Sequence, residues 1–277
     1  ASPPVDDVPE IGKLQSGNAV EAPPLAEATP PTSQPILVTT DVLRVEIDPR
    51  GGSLVSAELL AYPQQQGSSE PVRLLDDEAA RYFVAQSGLL SSDGAAPNHQ
   101  AEFTTSSRNW TLANGQNRIE VPLTWQDASG IQVRKTLVFE RGSYVIGMQQ
   151  QVRNASAKPW TGQAYRQLQR IPLVLDSSGI KGYTNTERYS FMGAAWYSPE
   201  EKFQKLAFDK FQSEPLKQTV SGGWVAMLQH YFFAAWIPPA NEVDEFSSAQ
   251  VAAADGTRYV MRSFSPAALP SHTDFSP

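Results

Sequence analysis

Apolar residues at every second position govern what this chain can become. Ile119, Val121 and Leu123 alternate with polar neighbours as far as Trp125, Asp127 to Gly130 reverses the chain, and Ile131, Val133, Leu137 and Phe139 continue the same face. Arg141-Gly142-Ser143 turns it again into Tyr144, Ile146, Met148 and Val152. Strand side chains point alternately to opposite faces, so this spacing predicts an antiparallel meander with one face buried. Leu43, Val45 and Ile47 repeat the pattern, and Asp48-Pro49-Arg50-Gly51-Gly52 leads into Leu54 to Leu60, which predicts a hairpin. After a turn at Asn154 to Pro159, Trp160 to Leu168 and Ile171 to Leu175 extend the series, and Gly182 to Asn185 reads as loop. Many strands with regular turns indicate an all-β sandwich or barrel. At 277 residues the chain is long for the smallest sandwiches, so a doubled or extended one is expected.

The run Gly222 to Pro239 holds two Trp and three other aromatic residues without a formal charge. It is too short for a membrane-spanning helix, which needs about 20 apolar residues, and Gln229 and His230 interrupt it. Aromatic side chains suit a pleated surface, and Gly and Pro pairs close both ends. Two buried strands meeting at a bend near Gln229 and His230 are predicted. Helix is scarce. Ser198-Pro199-Glu200-Glu201 has the form of a capping box with Pro at the first helical position, which predicts a helix of a turn or two. Leu74 to Ala80 is a second short helical candidate. Trp196, Tyr197 and Phe203 flank the capping box and are read as anchors of a long connection, with a sticky surface as the alternative.

Residues 1–35 differ from the rest. They hold eight of the 22 prolines, five acidic residues against Lys13, and no aromatic residue. Too few apolar groups are present to offset the entropy of ordering, so a disordered, partly polyproline-like linker is expected, with something further upstream. Residues 36–265 form the β domain, and Pro266 to Pro277 is a Pro- and Ser-rich tail. No secretory signal, lipidation motif or transmembrane stretch is visible. The net charge of −7 leaves no basic stripe for nucleic acid. Zero cysteines exclude disulfides, thiol catalysis and thiolate metal sites, and fit an oxidising compartment.

Catalytic constellations are sparse. Of three histidines, His272 lies in the Pro-rich tail, His99 follows a loop-like stretch, and His230 reads as a structural residue of an apolar strand. No metal-ligand spacing occurs. Gly51-Gly52 and Gly222-Gly223 lack the following helix and Lys of a phosphate cradle and read as turns. Asp76-Asp77-Glu78 reads as a solvated turn rather than an acid/base pair. Asn154-Ala155-Ser156 has sequon spacing but occupies a turn. No catalytic, cofactor-binding or metal residue is therefore assigned.

The Gly51-Gly52 turn with Leu54 to Pro63, the stretch Ala85 to Leu89, and Lys135 to Tyr144 with Val152-Arg153-Asn154 carry a resemblance. Phe191 to Ala195, Glu201-Lys202-Phe203 and above all Gly222 to Pro238 extend it. In order and spacing these residues resemble the periplasmic domain of the YidC-type membrane protein insertases of Gram-negative bacteria, across about residues 36 to 265. The resemblance implies a β-supersandwich similar to galactose mutarotases, with one or two short helices. It implies a multi-pass inner-membrane protein whose membrane helices lie outside this chain, so that its hydrophilic groove has no counterpart here. The family's helical linker into the membrane part is not evident in Pro266 to Pro277.

The expected role is that of a non-enzymatic interaction module without cofactor. It faces the periplasm and serves an insertase and chaperone that assists insertion, folding and assembly of inner-membrane proteins, alone or with the Sec translocon. The implied partners are SecD, SecF and the translocon, with nascent membrane proteins met through the missing membrane part. The alternative is a mutarotase-like domain that keeps a carbohydrate or peptide cleft, although the paired acid and base of a mutarotase are not recognisable. Strand edges or a cleft are the expected contact surfaces.

Overall fold

The computed structural model describes residues 8–9, 34–65, 67–172, 191–229, 231–254, 256–267 and 269. Most of the 1–35 segment, the Gly182 to Asn185 stretch, His230, His272 and nearly all of the Pro/Ser-rich tail lie outside the described residues.

The expected hairpin is present as β2 (Leu43–Asp48) and β3 (Ser53–Pro63), paired antiparallel with a register irregularity at Glu46/Ile47. The expected meander is β7 (Arg118–Gln126), β8 (Ile131–Glu140) and β9 (Ile146–Asn154). Ile119, Val121, Leu123, Ile131, Val133, Leu137, Phe139 and Val152 are all buried on its inner face.

The largest sheet has ten strands. One half contains β1 (Ile36–Thr39), β2, β3, β4 (Pro71–Leu75) and β6 (Asn109–Thr111). The other contains β5 (Phe83–Leu90), β10 (Gln163–Arg170), β13 (Lys217–Ser221), β16 (Val243–Ala253) and β17 (Gly256–Phe264). The order is β13-β16-β17-β10-β5-β3-β2-β1-β6, with β4 also on β3, and β1 runs parallel to β6. The halves meet through β3 and β5, whose register consists of Leu54 opposite Ala85. A third sheet, in the order β12-β11-β14-β15, comprises β11 (Met192–Ser198), β12 (Lys202–Ala207), β14 (Trp224–Gln229) and β15 (Phe232–Trp236).

Both smaller sheets cover one face of the large one. Ser87 of β5 stands opposite Arg166 of β10, so Ser87, Arg166 and, by the two-residue period, Arg170 share a face. Lys135 of the meander meets the Ser87 side chain, and the Arg170 side chain meets Leu228 and Gln229 of the third sheet. One apolar core runs between the layers and takes Val45, Leu123, Leu168, Val225 and Phe246 from all three sheets. The all-β expectation therefore holds as stacked sheets.

Two helix expectations do not hold. Ser198 ends β11, and residues 199–201 form the turn into β12 rather than a helix. The capping hydrogen bond itself exists, with the Glu201 N–H donating to Ser198 Oγ at 2.9 Å. Lys202 then adopts φ +60° and sends the chain back as a strand, so a helix-like cap is used to close a hairpin. Leu74 and Leu75 belong to β4, and residues 79–81 are turn. Helical structure among the described residues is the 3-10 turn Phe208–Lys210. Trp160 precedes β10 as a buried anchor, its indole N–H donating to Ala95 O at 3.0 Å.

The Gly51-Gly52 turn needs both glycines. Their φ values are +71° and +61°, and a Cβ on Gly51 would stand 2.4 Å from the backbone of His99.

Candidate functional site

The apolar run Gly222 to Pro239 forms the predicted pair of strands. Its hairpin is held at two points by partly buried hydrogen bonds. The Trp236 indole donates to Gln167 O at 3.0 Å. Arg170, almost wholly buried, donates from Nη1 to Leu228 O at 3.0 Å and from Nη2 to Gln229 Oε1 at 2.8 Å. Its guanidinium also lies 4.8 Å from the Phe83 ring centroid. Burial pushes its pKa down to about 10, so it remains a cation at neutral pH.

Beyond these anchors the run is not all core, contrary to the expectation from its composition. Phe232, Ala234 and Trp236 face the interior, whereas Phe233 is 61% exposed, Ile237 67% and Tyr231 77%. Strand alternation causes the split, because the third sheet is covered by the core on one side. At the hairpin tip three sheets converge. Phe232 meets Tyr62 of β3 edge-on at 5.4 Å, and Tyr62 meets Tyr144 of the β8–β9 turn at 5.9 Å. Slight desolvation by its neighbours, with Tyr62 and Asp41 adding to it, raises the pKa of Tyr144, which remains exposed.

A charged cleft of about 620 Å³ adjoins this tip, lined by residues of β2, β3 and β4 and by Gln229. Glu58 accepts from Arg44 at 2.8 Å and Arg73 at 3.3 Å. Asp76 pairs with Arg81 at 3.1 Å and Arg73 at 3.7 Å, and its Oδ1 accepts from the Glu78 N–H at 3.0 Å. Burial works against the Arg73 cation, yet Asp76, Glu58 and Glu78 outweigh it and raise its pKa. Partial desolvation, reinforced by Asp76, Asp48 and Glu78, raises that of Asp77 although its side chain remains exposed. The solvated-turn expectation fails at Asp76, which is buried as the hub of these pairs, while Asp77 and Glu78 are exposed.

A second cleft of about 540 Å³ lies over β7 and β8, where Trp110 is surrounded by Thr104, Thr124 and Thr136 with Glu120 and Arg134. It presents an aromatic ring and hydroxyls, the functional groups that hold a sugar.

Lys135 of β8 is fully buried between the meander and the large sheet. Its ammonium donates to Gly51 O, to Ser87 O at 3.0 Å and to Ser87 Oγ at 2.9 Å, and lies 5.2 Å from the Phe103 ring centroid. Burial with no salt bridge to it among the described residues pushes its pKa down to about 7. A Ser and a Lys in hydrogen-bond contact are the parts of a nucleophile and its base. Here both are sealed from solvent, and the pair instead joins the β2–β3 turn to β5 beside the Leu54–Ala85 junction.

Other candidates from the sequence resolve as structure. His99 is buried, and its Nδ1 lies 2.7 Å from Tyr165 Oη, which also accepts from the His99 N–H at 2.9 Å. Asn154 Oδ1 accepts from the Ser156 N–H and Oγ in a closed Asx turn. Trp196 points into the core, while Tyr197 stacks on Trp224 at 6.1 Å and Phe203 lies 5.9 Å from the same ring on the outer face. Anchoring and sticky surface are thus divided between neighbours. Lys135 and Arg170 were not singled out as site residues by the sequence, although Lys135 occupies an inward position of the alternating strand β8; β10, which carries Arg170, is buried on both faces and shows no such alternation. A cation at an apolar position was the available signal for Lys135.

No cluster of three or more His, Cys, Asp or Glu side chains suited to a metal occurs among the described residues, and no described helix is long and apolar enough to cross a membrane. A galactose mutarotase related enzyme from Lactobacillus acidophilus superposes with TM-score 0.46 and 10% identity, covering 83% of this chain and 85% of that one. The family model described as YidC periplasmic domain matches residues 35–271. The membrane protein insertase YidC of Stenotrophomonas maltophilia K279a is 40% identical over 235 residues, 83% of this chain and 40% of its own length. The YidC of Thioalkalivibrio sulfidiphilus is 39% identical over 251 residues (88% and 43%), and that of Xanthomonas campestris pv. campestris 8004 is 38% identical over 277 residues (96% and 46%). The chain thus spans less than half the length of each of these relatives. With the family model matched from before β1 to beyond β17, the chain belongs to the YidC periplasmic domain family.

Proposed function

We propose that this domain is the periplasmic interaction module of a membrane protein insertase and chaperone of the bacterial inner membrane. It takes no part in bond chemistry. In this reading the domain works beside the membrane-embedded part, contacting SecD and SecF of the Sec machinery or incoming membrane proteins. Family membership along nearly the whole chain carries the reading. The aromatic tip where Tyr62, Tyr144 and Phe232 converge supplies a surface suited to it. Aromatic residues gathered on an accessible surface favour protein contact.

Photocrosslinking in the full-length protein tests this. A photoreactive residue at positions from Tyr144 to Tyr197 and around the aromatic tip is expected to form adducts with SecD, SecF or a nascent inner-membrane protein. Adducts with none of them, from any position, overturn the reading.

A second reading is favoured by the cleft at Trp110, whose hydroxyls and aromatic ring suit a saccharide. Titration with hexoses decides it: saturable NMR shifts at Trp110 and Thr124 support a sugar site, and flat spectra remove it.

A further inference from the structure

We propose that the outer edge of β15 receives an extended, uncharged polypeptide segment, which adds to the third sheet as a further strand. The inference rests on the insertase reading, which makes apolar segments of membrane proteins the occupant.

The argument begins with the backbone. Within the described residues, β15 pairs with β14 on one side and ends its sheet on the other. A strand edge offers N–H and C=O groups that another extended chain can satisfy. Natural proteins guard such edges with charge, short length or bulges. Here β4, β7, β9, β12 and β13 each carry at least one Lys or Arg, and β6 has three residues. By contrast β15 reads Phe-Phe-Ala-Ala-Trp, and no Asp, Glu, Lys or Arg occurs from Gly222 to Asn241 in a chain of net charge −7. The strand itself gives a charged segment no countercharge, and asks an apolar one to desolvate no charged side chain.

Side chains support the same occupant. An added strand would project alternate residues to the two sides of the sheet. On one side is Phe233, 61% exposed, and on the other the Phe232–Tyr62 ring pair. The edge is also held in place before binding. Trp236 is fixed to Gln167, and Arg170 fixes the end of the paired strand β14. Little ordering entropy is then left to the domain, a recognised source of affinity.

The test uses a labelled Val/Leu/Thr peptide of about eight residues, the length of an ordinary strand, and a twin N-methylated at alternate residues. Fluorescence anisotropy with the whole chain is expected to show binding of the first peptide and none of the second. Phe233→Lys should weaken binding about tenfold, while Phe233→Leu retains it and Phe203→Lys, on the opposite edge strand, leaves it unchanged. Equal binding of both peptides, or indifference to Phe233→Lys in a variant with unaltered circular dichroism, overturns the proposal. So does a dimer in sedimentation that Phe233→Lys abolishes while the peptide fails to bind, which assigns the edge to a second copy. In the full-length insertase, nascent-chain adducts elsewhere on the domain but none at Phe233 would defeat the edge and spare the insertase reading. Adducts nowhere would defeat both.

Discussion

Lys135 Nζ donates to Ser87 Oγ at 2.9 Å across the place where the halves of the large sheet join. The same ammonium reaches Gly51 O and Ser87 O, so one side chain links β8, the β2–β3 turn and β5.

Stability should therefore respond to pH through Lys135. Its pKa is about 7 in the folded chain against an ordinary 10.5, so between these values the unfolded chain binds more protons and stability rises with pH. The slope from one such group is at most about 1.4 kcal/mol per pH unit. Urea unfolding from pH 7 to 10 should show this rise in the native chain and lack its Lys135 component in Lys135→Met. A common pH slope in both proteins would contradict it. At pH 7 Lys135→Met should be close to neutral, because the desolvation cost of the cation that it removes offsets the donors lost to Gly51 O, Ser87 O and Ser87 Oγ, whereas Lys135→Ala should cost about 3 kcal/mol through the cavity it leaves.

Arg170→Met should loosen the β14–β15 hairpin. Two hydrogen bonds from a buried cation are lost, and the Leu228 carbonyl is left without that donor, for a cost of roughly 2 to 4 kcal/mol. Hydrogen exchange should speed up at Leu228 to Trp236 more than in the meander. Uniform acceleration through the chain would show that Arg170 acts on global stability alone.

Asp76→Ala should cost about 1 to 3 kcal/mol, since this buried carboxylate also accepts the Glu78 N–H. The exposed pair Lys210–Glu214, at 2.9 Å, should matter far less, because solvent screens it. Thermal unfolding of Asp76→Ala and Glu214→Ala compares them, and equal losses would refute the distinction.

At the β11–β12 turn, Lys202 holds φ +60°. Lys202→Gly should stabilise by roughly 0.5 to 1 kcal/mol as left-handed strain is released against the entropy of glycine. Ser198→Ala should destabilise by about 1 kcal/mol through loss of the Glu201 hydrogen bond. Chemical denaturation of both variants checks the opposite signs.

The meander and the β2–β3 hairpin were legible because each buries one face against the core, so period two is written directly in the sequence. The paired strands of Gly222 to Pro239 were legible for their punctuation. β5 was less so: with nearly every residue buried, it shows no alternation to read. β12 was hidden because the capping box at Ser198 satisfies the same local hydrogen bond in a turn as in a helix, and only the return of the chain along β11 decides between them. Of the candidate surface, Tyr62, Tyr144 and Phe232 lie far apart in sequence and become one cluster only when three sheets stack. Asp76 was misread because local charge density says nothing of burial.

The position of β17 has a consequence for biosynthesis. It is the final described strand, yet it lies inside the large sheet, between β10 and β16, and joins β13 and β16 to the rest. A chain emerging from its N-terminal side can form the meander and the β2–β3 hairpin, but β10 keeps an unpaired edge from Tyr165 to Arg170 until residues 256–264 arrive. The edge of β10 at the centre of the large sheet is thus open to wrong partners until the last described strand arrives.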